Sequence, residues 1–256
     1  MTTLLEIKGI TNKFGSKVVH DGISLTLKKN EILGLVGGSG SGKSVLLRTI
    51  LGLHEPQKGK VLVEGVDIYS LSPEERLRVQ NKWGVLFQNG ALFSGLSVLD
   101  NVALPLREHT QLSAQAVENL AFLKLEMVGL EPDTAEKYPA ALSGGMVTRA
   151  AMARAMALDP EILFLDEPTG ALDAVAATAL DELMLSLQKV LNLSILIITH
   201  DLDTLVTICD RIAMIADKKI EVGTLNEMIK SSNPEVQEYF SGPRMKAVLA
   251  KQGRRK

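Results

Sequence analysis

Gly37-Gly38-Ser39-Gly40-Ser41-Gly42-Lys43-Ser44, entered from the apolar run Ile32–Val36, decides how this chain is read. The octapeptide satisfies G-x-x-x-x-G-K-[ST] and stands after a strand-like run and before a helix beginning near Gly42, the context in which the pattern has a mechanism. Glycines at Gly37, Gly38, Gly40 and Gly42, spaced by Ser39 and Ser41, let the backbone wrap so that successive N–H groups and the helix N-terminus face a β-phosphate. Lys43 then places a positive charge on the β- and γ-phosphates, and Ser44 offers its hydroxyl to Mg²⁺. A nucleoside triphosphate with Mg²⁺ is the expected ligand. Further along, Ile162-Leu163-Phe164-Leu165-Asp166-Glu167 is a second apolar strand ending in two carboxylates. Asp166 can hold the metal's water shell and Glu167 can polarise an attacking water. An acidic pair after a strand is by itself more often a solvated loop or helix cap; beside the lysine loop it is the expected metal-side partner.

Outward from these two runs, the texture sorts into layers. Ile32–Val36, Ile162–Leu165 and Ile195–Ile198 are continuous apolar runs of strand length, as expected for parallel strands covered on both faces. The first 30 residues alternate instead, with Leu5, Ile7, Ile23, Leu25 and Leu27 separated by polar residues, which predicts half-exposed antiparallel strands. The stretch from about 90 to 158 is mainly helical, and within Ser113–Val128 the spacing of Ala116, Leu120, Leu123 and Met127 predicts an apolar helix face. Ser72-Pro73-Glu74-Glu75 starts a short helix, Thr224 with Glu227 has capping-box spacing, and Ala174–Leu191 is a long helix. The fold class is α/β: a phosphate-loop NTPase core sheet, with an N-terminal antiparallel β-subdomain and an inserted helical subdomain.

Composition narrows the function classes. Of 256 residues, 46% are hydrophobic and 23% charged, with 28 basic against 30 acidic side chains; this is a globular balance that excludes disorder and argues against a general nucleic-acid surface. The single cysteine, Cys209, cannot close an intramolecular bridge, which fits a reducing compartment. No apolar run approaches the ~20 residues of a membrane span, and the start MTTLLEIKGI lacks the pattern of a secretion signal. The tail from Ser241 carries Arg244, Lys246, Lys251, Arg254, Arg255 and Lys256 and no acid, and is expected to be solvated and disordered.

Leu142-Ser143-Gly144-Gly145-Met146 separates the phosphate-loop families. Here the chain resembles the ATP-binding cassette (ABC) family, whose signature LSGGQ opens a helix in a helical subdomain; methionine stands here in place of glutamine. The resemblance spans residues 1–240 as one ATPase domain, with 241–256 as the basic tail. It implies a Q-loop role for Gln88, including Mg²⁺ contact, a D-loop at Ala171-Leu172-Asp173, and a switch histidine at His200. It also implies that Phe14 and Val19 sandwich adenine. Bland alternatives stand beside each: Phe14 as core, Gln88 as a strand end, His200 as a helix cap. In the family two copies meet head to tail, Leu142, Ser143, Gly144, Gly145 and Asp173 of one acting on the other's ATP.

The words Phe87-Gln88-Asn89-Gly90-Ala91-Leu92-Phe93 and Pro105-Leu106-Arg107-Glu108-His109-Thr110 are similar to those in ATPases of the mammalian-cell-entry (MCE) lipid transporters. That resemblance implies a peripheral ATPase on the cytoplasmic face of the inner membrane. Its partners would be a second copy, an integral permease docked on the apolar segment 91–106, and an MCE-domain lipid-binding protein. The alternatives are the ATPase of an importer for amino acids or another small polar solute and, less favoured, a non-transport ABC ATPase.

Overall fold

Alternating apolar residues place the first two strands on a buried layer. In the computed structural model, which describes residues 2–252, β1 (Thr3–Phe14) and β2 (Lys17–Lys28) pair antiparallel, with Leu5, Ile7, Ile10, Ile23, Leu25 and Leu27 buried. Strands β4 (Lys58–Val63) and β5 (Val66–Asp67) extend this sheet in the order β2-β1-β4-β5. The continuous apolar run forms β3 (Ile32–Gly37), which lies parallel between β8 (Ser194–Ile198) and β9 (Arg211–Ala216) and is buried along nearly its whole length. The edge strand β10 (Lys219–Gly223) is antiparallel to β9. Helix α1 (Lys43–Ile50) follows the glycine-rich loop directly. These strands and α1 belong to one compact unit, formed by the described residues up to Val79 and from Ser194 onward.

The second unit spans Gln80–Leu193. Its strands β6 (Trp83–Leu86) and β7 (Ile162–Asp166) run parallel. Three helices pack on one another, α3 (Val98–His109), α4 (Ala114–Met127) and α5 (Gly144–Ala155), and α6 (Ala174–Leu191) follows β7. This unit reaches beyond residues 90–158 on both sides. Between the two stretches, α2 (Pro73–Gln80) starts where Ser72 and Glu75 exchange hydrogen bonds. No helix among the described residues is long and apolar enough to cross a membrane.

Two expectations need correction. The buried face of α4 is Val117, Ala121, Lys124 and Leu125, not the stripe through Leu123, which is 47% exposed. The helix is apolar over more than one stripe, so spacing alone does not choose; packing selects the face on which Lys124 also reaches Asp159 in an ion pair. The tail is not a disordered appendage over its described part. After α7 (Leu202–Ile208), α8 (Leu225–Ile229) and α9 (Pro234–Ser241), residues Pro243–Gln252 form α10. Met245 and Val248 are buried, Met245 in a cluster with Leu205, Met228, Val236 and Phe240, while Arg244, Lys246 and Lys251 stay exposed. Apolar residues at this spacing outweigh the basic composition. Arg254, Arg255 and Lys256 lie outside the described residues.

Candidate nucleotide site

The first unit carries the phosphate loop. Gly37 ends β3, and a Cβ there would lie 2.8 Å from the Ile215 carbonyl oxygen, so the close approach of β9 requires glycine. Gly42 precedes α1 at φ +101, and a Cβ on it would strike His20 and Val19. The first α-helical bond runs from Leu46 N–H to Gly42 O, leaving the N–H groups of residues 43–45 without an intrahelical acceptor and turned toward the loop mouth. Gly38 and Gly40 have open space where a side chain would be. Lys43 Nζ donates to the carbonyls of Gly37 (2.8 Å) and Gly38 (3.2 Å), arching over the loop from its own helix. Ser44 is exposed, and Ser41 Oγ is buried without a hydrogen-bond partner. A cradle of N–H groups, one ammonium and an orphaned hydroxyl fits a polyphosphate.

Phe14, at the end of β1, is 49% exposed and stacks on His54 with ring centroids 4.9 Å apart and 19° between planes. One face of the phenyl ring is thus backed by imidazole, as a platform for a flat base would be. Val19 lies beside the loop–helix junction, its Cγ1 2.5 Å from the position of a Gly42 Cβ. His200 follows β8 and is exposed, and the cap of α7 is Asp201 rather than His200. His54 was not foreseen. Nothing in its sequence surroundings marks it.

The second unit carries the carboxylates and the signature. Asp166 ends β7, and Glu167 adopts φ +51, a left-handed conformation costly for a residue with a Cβ and a mark of functional loops when the surroundings enforce it. Thr169, two residues on, is buried with an unpartnered hydroxyl. Leu142 is half-buried, and Ser143 caps α5, its Oγ accepting from Met146 N–H. Ser143 and Gly144 are exposed at that N-terminus, so donors and the positive helix end face outward. Methionine at the fifth place contributes a backbone N–H there, which any residue supplies. Ala171 and Leu172 lie against this turn: Cβ atoms on Gly144 and Gly145 would meet Ala171 O at 3.4 Å and Leu172 Cδ2 at 3.8 Å. Asp173 caps α6 by accepting from Val175 and Ala176 N–H groups.

Gln88 is exposed just after β6 and is followed by three left-handed residues, Asn89 (φ 60), Gly90 (φ 76) and Ala91 (φ 47). Arg154, from α5, donates to the carbonyls of Gly90 and Ala91, both at 2.8 Å, and its guanidinium lies over the Phe93 ring. Buried Asn101 accepts from Phe93 N–H and donates to the carbonyls of Phe93, Leu96 and Ser97. A cavity of about 490 Å³ opens beside this loop, lined by Phe87, Ala91, Phe93, Leu104, Pro105 and Arg154 among others. Phe93, 54% exposed, is its prominent apolar wall; Leu92 and Leu96, within the same apolar segment, are half-buried and do not line it. Among the described residues no group of three His, Cys, Asp or Glu side chains could hold a metal by itself. Ser44, Asp166 and Gln88, expected from the sequence as metal ligands, each carry a hard oxygen donor of the kind Mg²⁺ takes.

A phosphate loop in one unit and an LSGG turn capping a helix in the other define an ATP-binding cassette. The chain belongs to the ABC transporter family, whose model matches residues 20–170. It is 40% identical over 240 residues to the "Intermembrane phospholipid transport system ATP-binding protein MlaF" of Haemophilus influenzae, covering 93% of this chain and 90% of that protein. It is 37% identical over 246 residues to the "Probable ribonucleotide transport ATP-binding protein mkl" of Mycobacterium leprae, covering 96% and 71%. Among solved structures, cbiO1 from Clostridium perfringens, part of the ABC transporter complex cbiONQ, matches with a TM-score of 0.81 at 25% identity, covering 98% of this chain and 100% of that one. A dimeric ATP-binding cassette in a post-hydrolysis state bound to ADP and Pi matches with a TM-score of 0.79 at 29% identity, covering 86% and 98%. The protein is an ATP-binding, ATP-hydrolysing subunit of a transporter.

Proposed function

We propose that this ATPase drives phospholipid transport between the inner and outer membranes, in a system of the MCE type. The carrying observation is the likeness to the Haemophilus influenzae protein, named for intermembrane phospholipid transport, over nine-tenths of both chains. Lys43 and the N–H groups of Gly38–Ser44 hold the triphosphate of ATP, and Phe14 and Val19 hold its base. Ser44, Asp166 and Gln88 would hold Mg²⁺, which neutralises phosphate charge when bound. Glu167 accepts a hydrogen bond from the attacking water and turns its lone pair toward the γ-phosphorus, while His200 hydrogen-bonds the γ-phosphate. A second copy, head to tail, brings Ser143, Gly144 and Gly145 to the γ-phosphate of the first, so ATP joins the two copies and hydrolysis parts them.

The cavity walled by Phe93 receives a helix of an integral permease, and its shared wall with the Gln88 loop connects permease movement to the nucleotide. The protein then works peripherally, on the cytoplasmic face of the inner membrane, beside an MCE-domain lipid-binding partner. A second reading, transport of a small polar solute, is favoured by the relatives named for ribonucleotide transport. The test is the complex purified with its permease and reconstituted in liposomes. ATP-dependent movement of labelled phospholipid to an MCE-domain acceptor, absent with Glu167→Gln, is expected; ribonucleotide uptake without lipid movement would replace the first reading by the second.

A further inference from the structure

Three fully buried polar side chains lie beneath the phosphate loop: Asn12 on β1, His20 on β2 and Thr49 on α1. Their hydrogen bonds fix one another's roles. The Thr49 hydroxyl donates to Val45 O at 2.9 Å, so toward Asn12 it accepts from Nδ2, also at 2.9 Å. The second hydrogen of Asn12 Nδ2 is left for His20 Nδ1, 3.0 Å away, which makes Nδ1 an acceptor. Burial holds the ring neutral, with its pKa lowered to about 4, so its one proton sits on Nε2. That N–H faces Gly42: a Cβ there would lie 2.4 Å from Nε2. Nε2 has no well-formed hydrogen bond, although the Gly42 backbone is the nearby group that favours a proton on the ring.

The chain of contacts closes a bracket. It runs from Gly42 through His20, Asn12 and Thr49 to Val45 O, and the residues it encloses on α1 are Lys43 and Ser44. Its two strand members are also neighbours of the proposed base platform: His20 follows Val19, and Asn12 stands two before Phe14. A rigid ring with an unsatisfied buried donor is a costly way to fill a core position, where an aliphatic side chain would leave nothing unpaired.

Building on the proposed nucleotide site, we propose that the Asn12–His20–Thr49 bridge is a positioning unit that couples the base platform at Phe14 and Val19 to the set of the phosphate loop. Adenine seated on the platform fixes the ends of β1 and β2, and the bridge passes that order to Gly42, Lys43 and Ser44. The base's contribution to ATP binding is then realised only while the bridge holds the platform and the phosphate loop in one arrangement.

The test compares MgATP with magnesium tripolyphosphate, by competition against a fluorescent ATP analogue on the full chain. The wild type should prefer ATP by about tenfold, a base-stacking increment, and Phe14→Ala should erase that preference. In His20→Leu the preference should collapse to within about twofold, with Phe14→Ala then adding no further loss, whereas His20→Gln, which restores an N–H toward Gly42, should keep most of it. A folding defect lowers both ligands' binding alike and leaves their ratio unmoved, so the ratio separates positioning from mere support. The proposal is overturned if His20→Leu keeps the wild-type preference, or if its ratio falls and His20→Gln does no better. Should His20→Leu fail to fold, Asn12→Ser, which cuts the ring from Thr49, is judged by the same ratio. A wild type that binds neither ligand would sink the nucleotide site itself.

Discussion

Two loops leave the C-terminal ends of parallel strands and pass through left-handed backbone by opposite means. After β3 the turns fall on Gly37, Gly40 and Gly42, which adopt positive φ at no steric cost. After β6 they fall on Asn89, Gly90 and Ala91, where a Cβ at Ala91 costs about 1–2 kcal/mol. Glycines supply the turns of the first, with Lys43 arching over the carbonyls of Gly37 and Gly38. Long polar side chains hold the second: Arg154 grips its carbonyls from α5, and Asn101 ties the next turn to α3. The first loop is preformed for a small rigid anion. The second takes its shape from the helices around it, so movement of α5 or α3 must alter it.

The contrast breaks most visibly at Lys43. Lys43→Ala should weaken MgATP binding by on the order of a hundredfold or more and abolish its thermal stabilisation, because it removes a positive charge held over the loop at the phosphates. The Gln88 loop should be untouched, with permease co-purification unchanged in the same preparation.

The next effect concerns the support beneath the first loop. His20 takes a proton near pH 6.5 when unfolded and near 4 when folded. The unfolded chain therefore binds more protons in that window. The neutral ring contributes stability in full above about pH 6.5, and it is lost as pH falls toward 4. The contribution is up to ~3 kcal/mol, less whatever solvent relieves at the ring. Denaturant midpoints of wild type and His20→Gln across pH 4–7 should converge at the acid end; parallel curves would remove the support.

Arg154→Met keeps the length of the side chain and deletes both bonds to the second loop. It should cost about 2–3 kcal/mol in urea unfolding, and loss of permease co-purification should precede any loss of ATP binding. Unchanged co-purification would mean the loop holds its own shape. The smallest effects form a matched pair. Ala91→Gly should stabilise by about 0.5–1 kcal/mol by releasing strain, and Gly40→Ala, at φ +78 with open space around it, should destabilise by about 1 kcal/mol. Like signs for the two would show that both loops respond alike to a Cβ at positive φ.

Local chemistry was legible in proportion to how short its range is. The phosphate loop, the strand ending at Asp166 and Glu167, the Thr224–Glu227 capping box and the Ser143 turn each depend on residues within a few positions of one another, and each appears where the pattern placed it. The buried face of α4 was not legible, because apolar residues occupy two stripes and only docking against α3 and α5 selects one. Helix α10 was hidden by its basic charge: Met245 and Val248 mean little until Phe240 and Val236 are there to receive them. Arg154 was equally silent, since an arginine in a helix announces solvent, and its partners Gly90 and Ala91 lie on a loop far from it in the chain.

From its sequence alone this chain is an ATPase of the ABC type, because the phosphate loop and the LSGG turn that mark the class are each built from residues within a few positions of one another. Tertiary structure alone decided which stripe of α4 is core, that the tail folds as a helix, that His54 backs Phe14, and that Asn12, His20 and Thr49 form a bracket under Gly42. Many of these contacts join residues far apart in the chain, Asn12 with Thr49 and Phe14 with His54 among them, and the buried polar ones gain their energy only when folding removes water from both partners.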